Sequence, residues 1–306
     1  MNETKTHFYS DGLRLEASIY RPDDLQGDGP HPTVIVNSGY QGFNEFYPKM
    51  FAASLTELGY ICIGFDYRGM ADSEGEKGRV LIEEQVSDIR HAISFARAQD
   101  DVDNDRLALI GWGMGAANVV LAAERSKQVA ATVALNGFYD GVRWLQSIHT
   151  YDEWTRIVDE IEVDRLQRAT KGESKLADTF EHYPLDPATK DYVGAELESV
   201  YGFGHPTRLQ FTESIMDLKV ERVVPHLDGI PLFIGHGVNN TLHPIAEADA
   251  LYAAAKSPKT YYKIAGRHND FMYGDHPVFV ELITQVDAFL TDAFEKSAHP
   301  SPLRSE

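Results

Sequence analysis

Near the middle of the chain runs the segment Leu107-Ala108-Leu109-Ile110-Gly111-Trp112-Gly113-Met114-Gly115-Ala116-Ala117-Asn118-Val119-Val120-Leu121-Ala122. An apolar run ends in three glycines on alternate positions, and an alanine-rich segment follows at once. A short continuous apolar run is typical of a buried strand, and the longer alanine-rich segment is typical of a buried helix. The pattern therefore predicts a strand, a very tight turn and a helix.

This turn has the spacing of a nucleophile elbow, Gly-x-Ser-x-Gly. In that turn the flanking glycines let the strand and the helix pass closely, while a strained backbone holds the central side chain out. Here the central residue is Gly113, which has no side chain and cannot attack a substrate. The turn therefore serves a different chemistry, is inert, or has lost its nucleophile by substitution.

A glycine-rich turn before a helix can also bind a phosphate. The G-x-G-x-G spacing here lacks the third glycine of a dinucleotide site, and no acidic residue ends a nearby second strand. No segment shows a metal-ligand spacing either, including His268 and Asp270. We therefore expect no cofactor and no metal.

Composition narrows the class of protein. The chain has 306 residues, a formal net charge of -19 and one cysteine, Cys62, inside an apolar run. This length allows a large α/β domain with a substantial core. The negative charge argues against nucleic acid and anionic membranes as partners, and no apolar run is long enough to span a bilayer. We expect a soluble, cytoplasmic protein with Cys62 buried.

Strand and helix patterns alternate on both sides of the elbow. They predict a hairpin at 8–22, strands at 32–37, 60–65, 107–112, 130–135, 231–237 and 260–264, and helices at 47–58, 83–98, 245–256 and 277–294. Between 138 and 224 the patterns are helical, without a buried strand. This order predicts an α/β fold with a mostly parallel central sheet flanked by helices and a helical lid inserted late. The parts are a core at 1–137, the lid at 138–225, the rest of the core at 226–296 and a frayed tail at 297–306.

Four segments, in order, resemble motifs of the α/β-hydrolase superfamily, and within it the branch of X-Pro dipeptidyl-peptidase-like and polyketide-transferase-like hydrolases. The first resembles the loop after the third strand, the second an Asp-x-Arg-Gly-x-Gly-x-Ser motif, the third the elbow, and the last the strand ends that carry the acid and the histidine. They are Asn37-Ser38-Gly39-Tyr40, then Asp66-Tyr67-Arg68-Gly69-Met70-Ala71-Asp72-Ser73, then residues 111–115, and finally Gly235-His236-Gly237 together with Ala265-Gly266-Arg267-His268.

The resemblance implies roles for single residues. Gly113 stands at the nucleophile position, Asn240 stands where the acid is usual, and His268 stands at the general base. The implied oxyanion hole consists of the backbone N–H groups of Tyr40 and Met114. An asparagine can hold an imidazole but cannot neutralise an imidazolium.

Asp140 follows the strand predicted at 130–135 and is a candidate substitute for the missing acid. The alternative interpretation is that Asp140 caps a helix.

Aromatic side chains and histidines of the lid are expected to form a roof over a moderately large pocket. For each of them, lid core or a contact within a homodimer is the alternative. The substrate-binding candidates are Trp112 from the elbow and Trp144, His149, Tyr151, Trp154 and Tyr183 from the lid. The histidines expected to be packed or exposed rather than catalytic are His236, His243 and His276.

These features predict an enzyme that acts on a small ester, lactone or ketone. His268 would direct water into the space left at Gly113, or would transfer a proton during C–C cleavage, as in a lyase. Neither route needs a covalent serine intermediate. Two alternatives remain, namely a serine esterase, peptidase or acyl transferase inactivated at Gly113, and a catalytically silent protein of the same fold that binds a ligand.

Overall fold

The computed structural model describes residues 1–25 and 29–298. Its first two strands, β1 (Asn2–Ser10) and β2 (Leu13–Arg21), form the predicted hairpin, although β1 begins before the predicted residue 8. The turn consists of Asp11 and Gly12, which both have positive φ, 49° and 85°. An Asp-Gly pair tolerates these angles and matches the twist of the two strands.

In the described part of the chain, eight strands form the main sheet. The other six are β3 (His31–Asn37), β4 (Ile61–Phe65), β5 (Val102–Trp112), β6 (Ala131–Leu135), β7 (Leu232–Gly237) and β8 (Lys259–Ile264). The spatial order is β1-β2-β4-β3-β5-β6-β7-β8. Pairs that include β1 or β2 are antiparallel and the rest are parallel. The predicted mostly parallel sheet is confirmed.

Helices cover both faces of this sheet. Those close to predicted segments are α1 (Tyr47–Glu57), α2 (Ile82–Arg97), α3 (Met114–Ser126), α8 (Ile245–Ala254) and α9 (Pro277–Ala298), with α4 to α7 between β6 and β7. Alternate residues of β3 point into different layers of the core, since Ile35 belongs to one buried cluster and Val34 and Val36 to the other. Cys62 is fully buried in the second cluster, as the sequence predicts.

Between β6 and β7 the chain is mainly helical. The elements are α4 (Gly141–Ile148), α5 (Tyr151–Lys171), α6 (Pro187–Tyr192), a π-helical turn (Val193–Leu197) and α7 (Gln210–Met216). A pair of two-residue strands, Leu176–Ala177 and Thr207–Arg208, adds to the predicted helices. We call this region the lid, with the predicted bounds 138–225. Most of the predicted frayed tail lies outside the described residues.

The lid is tied to the core by a buried carboxylate. Glu247 of α8 accepts hydrogen bonds from the backbone N–H groups of Tyr139 (2.8 Å) and Asp140 (3.1 Å), at the start of the lid. It also pairs with Arg143 of α4, at 2.6 Å, and Arg143 reaches Glu221 at 2.5 Å. The Glu247 side chain is 3% exposed and that of Glu221 is 27% exposed, so only the first is shielded from water.

Within the described residues no helix has the length and apolar character required to cross a membrane.

We expect Glu247→Ala to lower the free energy of unfolding by about 3 kcal/mol, because the buried N–H of Tyr139 and the half-buried N–H of Asp140 lose their acceptor and Arg143 loses its buried carboxylate. The matched control Glu221→Ala removes the more exposed carboxylate from the same arginine and should cost less than about 1 kcal/mol. Urea unfolding followed by circular dichroism measures both. Equal losses in the two variants would contradict a special role for Glu247.

Candidate active site

Gly113 lies at the elbow between β5 and α3, with φ 59° and ψ −126°. Residues other than glycine adopt this backbone conformation only under strain. A Cβ built on Gly113 would lie 3.7 Å from Nε2 of His268 and 3.9 Å from Cε1 of His243, which is ordinary contact. A Cβ on Gly115 would lie 2.2 Å from the carbonyl oxygen of Ser38. Close packing therefore requires glycine at 115, whereas 113 has room for a side chain.

Three predicted site residues meet at this position. His268, after β8, and Asn240, after β7, are both buried, and Nδ1 of His268 lies 3.1 Å from Nδ2 of Asn240. The opposite ring nitrogen, Nε2, faces Gly113. The structure therefore brings Gly113, Asn240 and His268 together, and their chemical roles remain predictions.

The orientation of Asn240 determines which nitrogen of His268 carries the hydrogen. Oδ1 of Asn240 accepts a hydrogen bond from the backbone N–H of His243, at 2.9 Å, and a backbone N–H can only donate. The NH₂ group of Asn240 therefore faces Nδ1 of His268, so this nitrogen must accept. Burial, together with the neighbouring His243 and His236, holds the pKa of His268 well below its usual value. The ring is then neutral, and its hydrogen lies on Nε2.

This arrangement differs from the general base that the resemblance implies for His268. A histidine base presents a lone pair at Nε2, and this requires a hydrogen on Nδ1 held by an acceptor. Asn240 offers Nδ1 a donor instead. In its neutral form His268 consequently presents an N–H group to the space at Gly113.

The backbone amides of Tyr40 and Met114 border the same space. A Cβ on Gly39 would lie 3.5 Å from the nitrogen of Met114 and 3.0 Å from the carbonyl oxygen of Trp112, so the loop after β3 touches the elbow. Among the described residues, neither amide N–H donates a hydrogen bond to another protein atom. Met114 also opens α3, where helix N–H groups are free and the helix dipole is positive. Both amides are therefore available to an anionic oxygen.

A cavity of about 70 Å³ opens beside Gly113. This volume holds a few water-sized groups, so the pocket is smaller than the moderately large one expected from the sequence. Of the predicted substrate-binding residues, Trp112 and Tyr183 line it. The remaining wall is mainly aromatic and aliphatic and includes Tyr47, Phe180, Leu185, Val193, Leu197, Phe203 and Leu242.

The other four substrate-binding candidates lie away from this cavity. Trp144 is fully buried, stacks on Phe138 at 4.0 Å between ring centroids, and donates to the carbonyl of Leu242. Tyr151 is 82% exposed and lines a separate surface groove on α5. His149 lies near the carbonyl of His182 within the lid, and Trp154 is partly buried against the main hydrophobic cluster. Trp144 also contacts Leu242 and His243 in the loop after β7, so it packs against residues beside the site but does not line the cavity.

Asp140 does not meet His268. Its carboxylate caps α4 by accepting the N–H of Arg143 at 3.1 Å, and it pairs with Lys219 at 2.5 Å. Nδ1 of His268 is occupied by Asn240. These contacts match the alternative interpretation, in which Asp140 caps a helix, and they do not match a role as the substitute acid.

A second histidine, which the sequence analysis set aside, lies beside the first. The rings of His243 and His268 are 4.6 Å apart, and burial lowers the pKa of His243 to about 3. Nδ1 of His243 lies 2.5 Å from the carbonyl oxygen of Asn136, which can only accept. Nδ1 therefore carries the hydrogen, and Nε2 accepts from the hydroxyl of Tyr183 at 2.7 Å. The sequence gives no local signal for this contact, because the partners are 107 and 60 positions away.

Asn136, at the end of β6, holds the loops of both histidines. Its Nδ2 donates to the carbonyl of His268 at 2.9 Å, and its Oδ1 accepts the backbone N–H of Gly237 at 2.7 Å. Its own carbonyl accepts from His243, as above. Asn136 adopts φ 50°, which asparagine tolerates better than most residues.

Comparison with known proteins identifies the family and the fold. The family model described as X-Pro dipeptidyl-peptidase (S15 family) matches residues 11–269. The chain belongs to the S15 family. The α/β hydrolase GrgF from Penicillium sp. sh18 superposes with a TM-score of 0.79 at 19% identity, over 96% of this chain and 100% of GrgF. The predicted α/β-hydrolase fold is confirmed.

Two curated relatives of this S15 family member, each more than 30% identical to it, match over a shorter region. An uncharacterized 31.7 kDa protein of Escherichia coli is 34% identical over 135 residues, or 44% of this chain and 46% of that protein. The quorum-quenching protein AidA of Acinetobacter baumannii is 31% identical over 135 residues, or 44% of this chain and 43% of AidA. The chain thus aligns with less than half the length of these relatives.

In the described parts of this S15 family chain, no three side chains of histidine, cysteine, aspartate or glutamate are grouped so that they could hold a metal ion.

Acid should destabilise the protein through its buried neutral histidines. The pKa of His243 is lower when folded than the value of about 6.5 in an unfolded chain. Between these values the unfolded state binds more protons, so stability is full above pH 6.5 and falls as the pH drops. We expect His243→Gln to reduce the slope of unfolding free energy by up to about 1.4 kcal/mol per pH unit between about pH 5.5 and 4.

Urea unfolding at several pH values measures this slope for the unchanged protein and for His243→Gln. His205→Gln, which changes an exposed histidine of the lid, is the control and should leave the slope as it is. An unchanged slope in His243→Gln would mean that His243 does not stay neutral when folded.

Proposed function

We propose that this S15 family member is an enzyme that acts on a small carbonyl compound without a covalent serine intermediate. The observation that carries the proposal is the set of donors around Gly113. The free amides of Tyr40 and Met114 border one cavity with Nε2 of His268, which bears a hydrogen in the tautomer derived above. No nucleophilic side chain occupies residue 113.

Such a set of donors suits a carbonyl oxygen that becomes negative. Fixed N–H groups in a site shielded from water stabilise an oxyanion without rearranging during the reaction. A neutral imidazole can polarise a carbonyl as a hydrogen-bond donor when its pKa is low. In this proposal His268 is the hydrogen-bond donor that polarises the carbonyl, and Gly113 supplies the space in which the carbonyl carbon lies.

The cavity supports a small and largely apolar substrate. Its volume of about 70 Å³ suits the small acyl or ketone part of a substrate, and its wall is mostly aromatic and aliphatic. One relative is named a quorum-quenching protein, which supports a small diffusible molecule as the substrate class. The earlier predictions of a cytoplasmic location, of no nucleic-acid or membrane partner and of a homodimer remain predictions.

A panel of 4-nitrophenyl acetate, δ-valerolactone and 2-butanone tests the proposal. We expect turnover of at least one compound, and a loss of about 10²- to 10³-fold in kcat/KM for His268→Gln, as on removal of an oxyanion-hole donor. His205→Gln is the matched control, with unchanged rates expected. Turnover that survives His268→Gln would remove His268 from the mechanism. No turnover of any compound would favour the alternative of a silent binding protein.

One observation favours the second candidate, a serine hydrolase that lost its nucleophile. Residue 113 has room for a Cβ, with the nearest atoms 3.7 Å away. The tautomer of His268 argues against it, because Nε2 has no lone pair to accept the proton of a serine hydroxyl.

We therefore expect Gly113→Ser alone to gain little ester hydrolysis. The double variant Gly113→Ser with Asn240→Asp should exceed it by about 10⁴-fold, since a carboxylate would reverse the tautomer of His268. Rates on 4-nitrophenyl acetate and fluorophosphonate labelling followed by mass spectrometry measure the effect. Gly113→Ala controls for backbone strain of about 1–3 kcal/mol at this position. Full activity in the single Gly113→Ser variant would establish the inactivated serine hydrolase instead.

A further inference from the structure

The proposed function leaves one group unassigned, because a carbonyl compound that gains an oxyanion by enolisation must give a proton to a base. His268 presents a hydrogen to the site and cannot accept that proton in its neutral form. A second series of hydrogen bonds beside the site can accept a proton. It runs from the hydroxyl of Tyr183 to Nε2 of His243, and from Nδ1 of His243 to the carbonyl of Asn136.

We infer that Tyr183 and His243 form the proton-accepting pair of the site and that the substrate is an enolisable carbonyl compound. The inference rests on the proposed function and adds its base and its substrate class. Tyr183 lines the cavity together with Gly113 and His268, whereas His243 does not, so Tyr183 is the member of the pair placed to meet a substrate. His243 acts through Tyr183 and is a positioning residue and proton store.

Only one arrangement of hydrogens satisfies this chain of atoms. The carbonyl of Asn136 has no hydrogen to give, so Nδ1 of His243 donates to it and Nε2 is left with a lone pair. The hydroxyl of Tyr183 must then donate to Nε2, and the lone pairs of its oxygen remain for another donor. The two histidine rings, 4.6 Å apart, therefore hold opposite tautomers.

All the atoms of the proton-transfer step come from the substrate, Tyr183 and His243. The C–H bond next to the carbonyl breaks and a new O–H bond forms on Tyr183, while the original hydroxyl proton of Tyr183 moves to Nε2 of His243. The electron pair of the C–H bond passes to the carbonyl oxygen as an enolate. The amides of Tyr40 and Met114 and the N–H of His268 stabilise that oxygen.

The charge on His243 is formed only together with the enolate. Burial opposes a lone imidazolium, and the low pKa of His243 expresses this cost. An enolate nearby has the opposite charge in the same shielded space, which favours the imidazolium. The carbonyl of Asn136, already bonded to Nδ1, also stabilises the positive ring. The pair is thus a weak base without substrate and a stronger one as the oxyanion develops.

The alternative is that Tyr183 has only a structural role, because a buried tyrosine hydroxyl normally has a hydrogen-bond partner. Its ring packs between Tyr40, 5.4 Å away, and Trp144, 4.5 Å away between centroids. The experiments below use readouts that loss of packing does not change.

The first experiment measures the tautomers in the full chain without any substrate. Two-bond ¹H–¹⁵N correlation on protein labelled with ¹⁵N-histidine at pH 7.5 should show a hydrogen on Nδ1 of His243 and on Nε2 of His268, with both rings neutral. Assignment uses His268→Gln, and Tyr183→Phe should shift Nε2 of His243 selectively. A hydrogen on Nε2 of His243, or an imidazolium there, overturns the inference.

The second experiment measures base catalysis by proton–deuterium exchange. Ethyl acetoacetate and 2-butanone are incubated in D₂O, and ¹H NMR follows loss of the protons next to the carbonyl. We expect the unchanged protein to accelerate exchange and Tyr183→Phe to reduce that acceleration by about 10²-fold or more. The matched control is Tyr192→Phe, which removes another buried hydroxyl bonded to a carbonyl, that of Met272, and should stay within threefold.

The two failures are distinguishable. If the protein accelerates exchange and Tyr183→Phe matches Tyr192→Phe, the pair is not the base, while the proposed function stands. If nothing accelerates exchange but esters or lactones are hydrolysed with dependence on His268, the enolisable substrate class is wrong and the oxyanion-binding proposal survives. If neither occurs, both proposals fail, whatever the tautomers are.

Discussion

The chemistry of the site depends on one hydrogen bond, from the backbone N–H of His243 to Oδ1 of Asn240. A backbone N–H has no choice of polarity, so it fixes the orientation of the amide, and the amide fixes the tautomer of His268. An aspartate at the same position would accept from both neighbours and would put the imidazole hydrogen on Nδ1. The exchange of one carboxylate for one amide therefore reverses the polarity of a histidine while the backbone stays that of an α/β-hydrolase.

Much of the fold was predictable because apolar periodicity reports burial directly. The runs at 32–37 and 231–237 have no polar alternation, and the structure places them as interior strands of a parallel sheet, buried on both faces. The hairpin was predicted, but its first strand was predicted too short. Residues 2–7 pair with β2 along their length, while their side chains are mostly exposed. Exposed strand residues leave little hydrophobic signal.

The site divides in the same way. The resemblance implied Gly113, Asn240 and His268, and each follows the carboxyl end of a strand, where spacing along the chain translates into position. Apart from Tyr183, the lid residues were not predicted correctly, since helix packing decides whether Trp144 faces a cavity or Phe138, and no pattern in one sequence encodes that choice. His243 and Tyr183 were missed as a pair because their contact joins the core to the lid across 60 positions. The space at Gly113 was predictable, but the direction in which hydrogens point around it was not.

Asn136 connects the strand end, the loop of His268 and the ring of His243 through three hydrogen bonds. The loop of His268 and the imidazole of His243 are therefore anchored to one residue at one sheet edge, so we expect their separation to change little when a ligand enters. The site can therefore adjust little to the shape of a ligand. Selectivity then comes from exclusion, and molecules that differ by a methyl group should be separated by whether they fit between fixed walls rather than by how far the walls adapt.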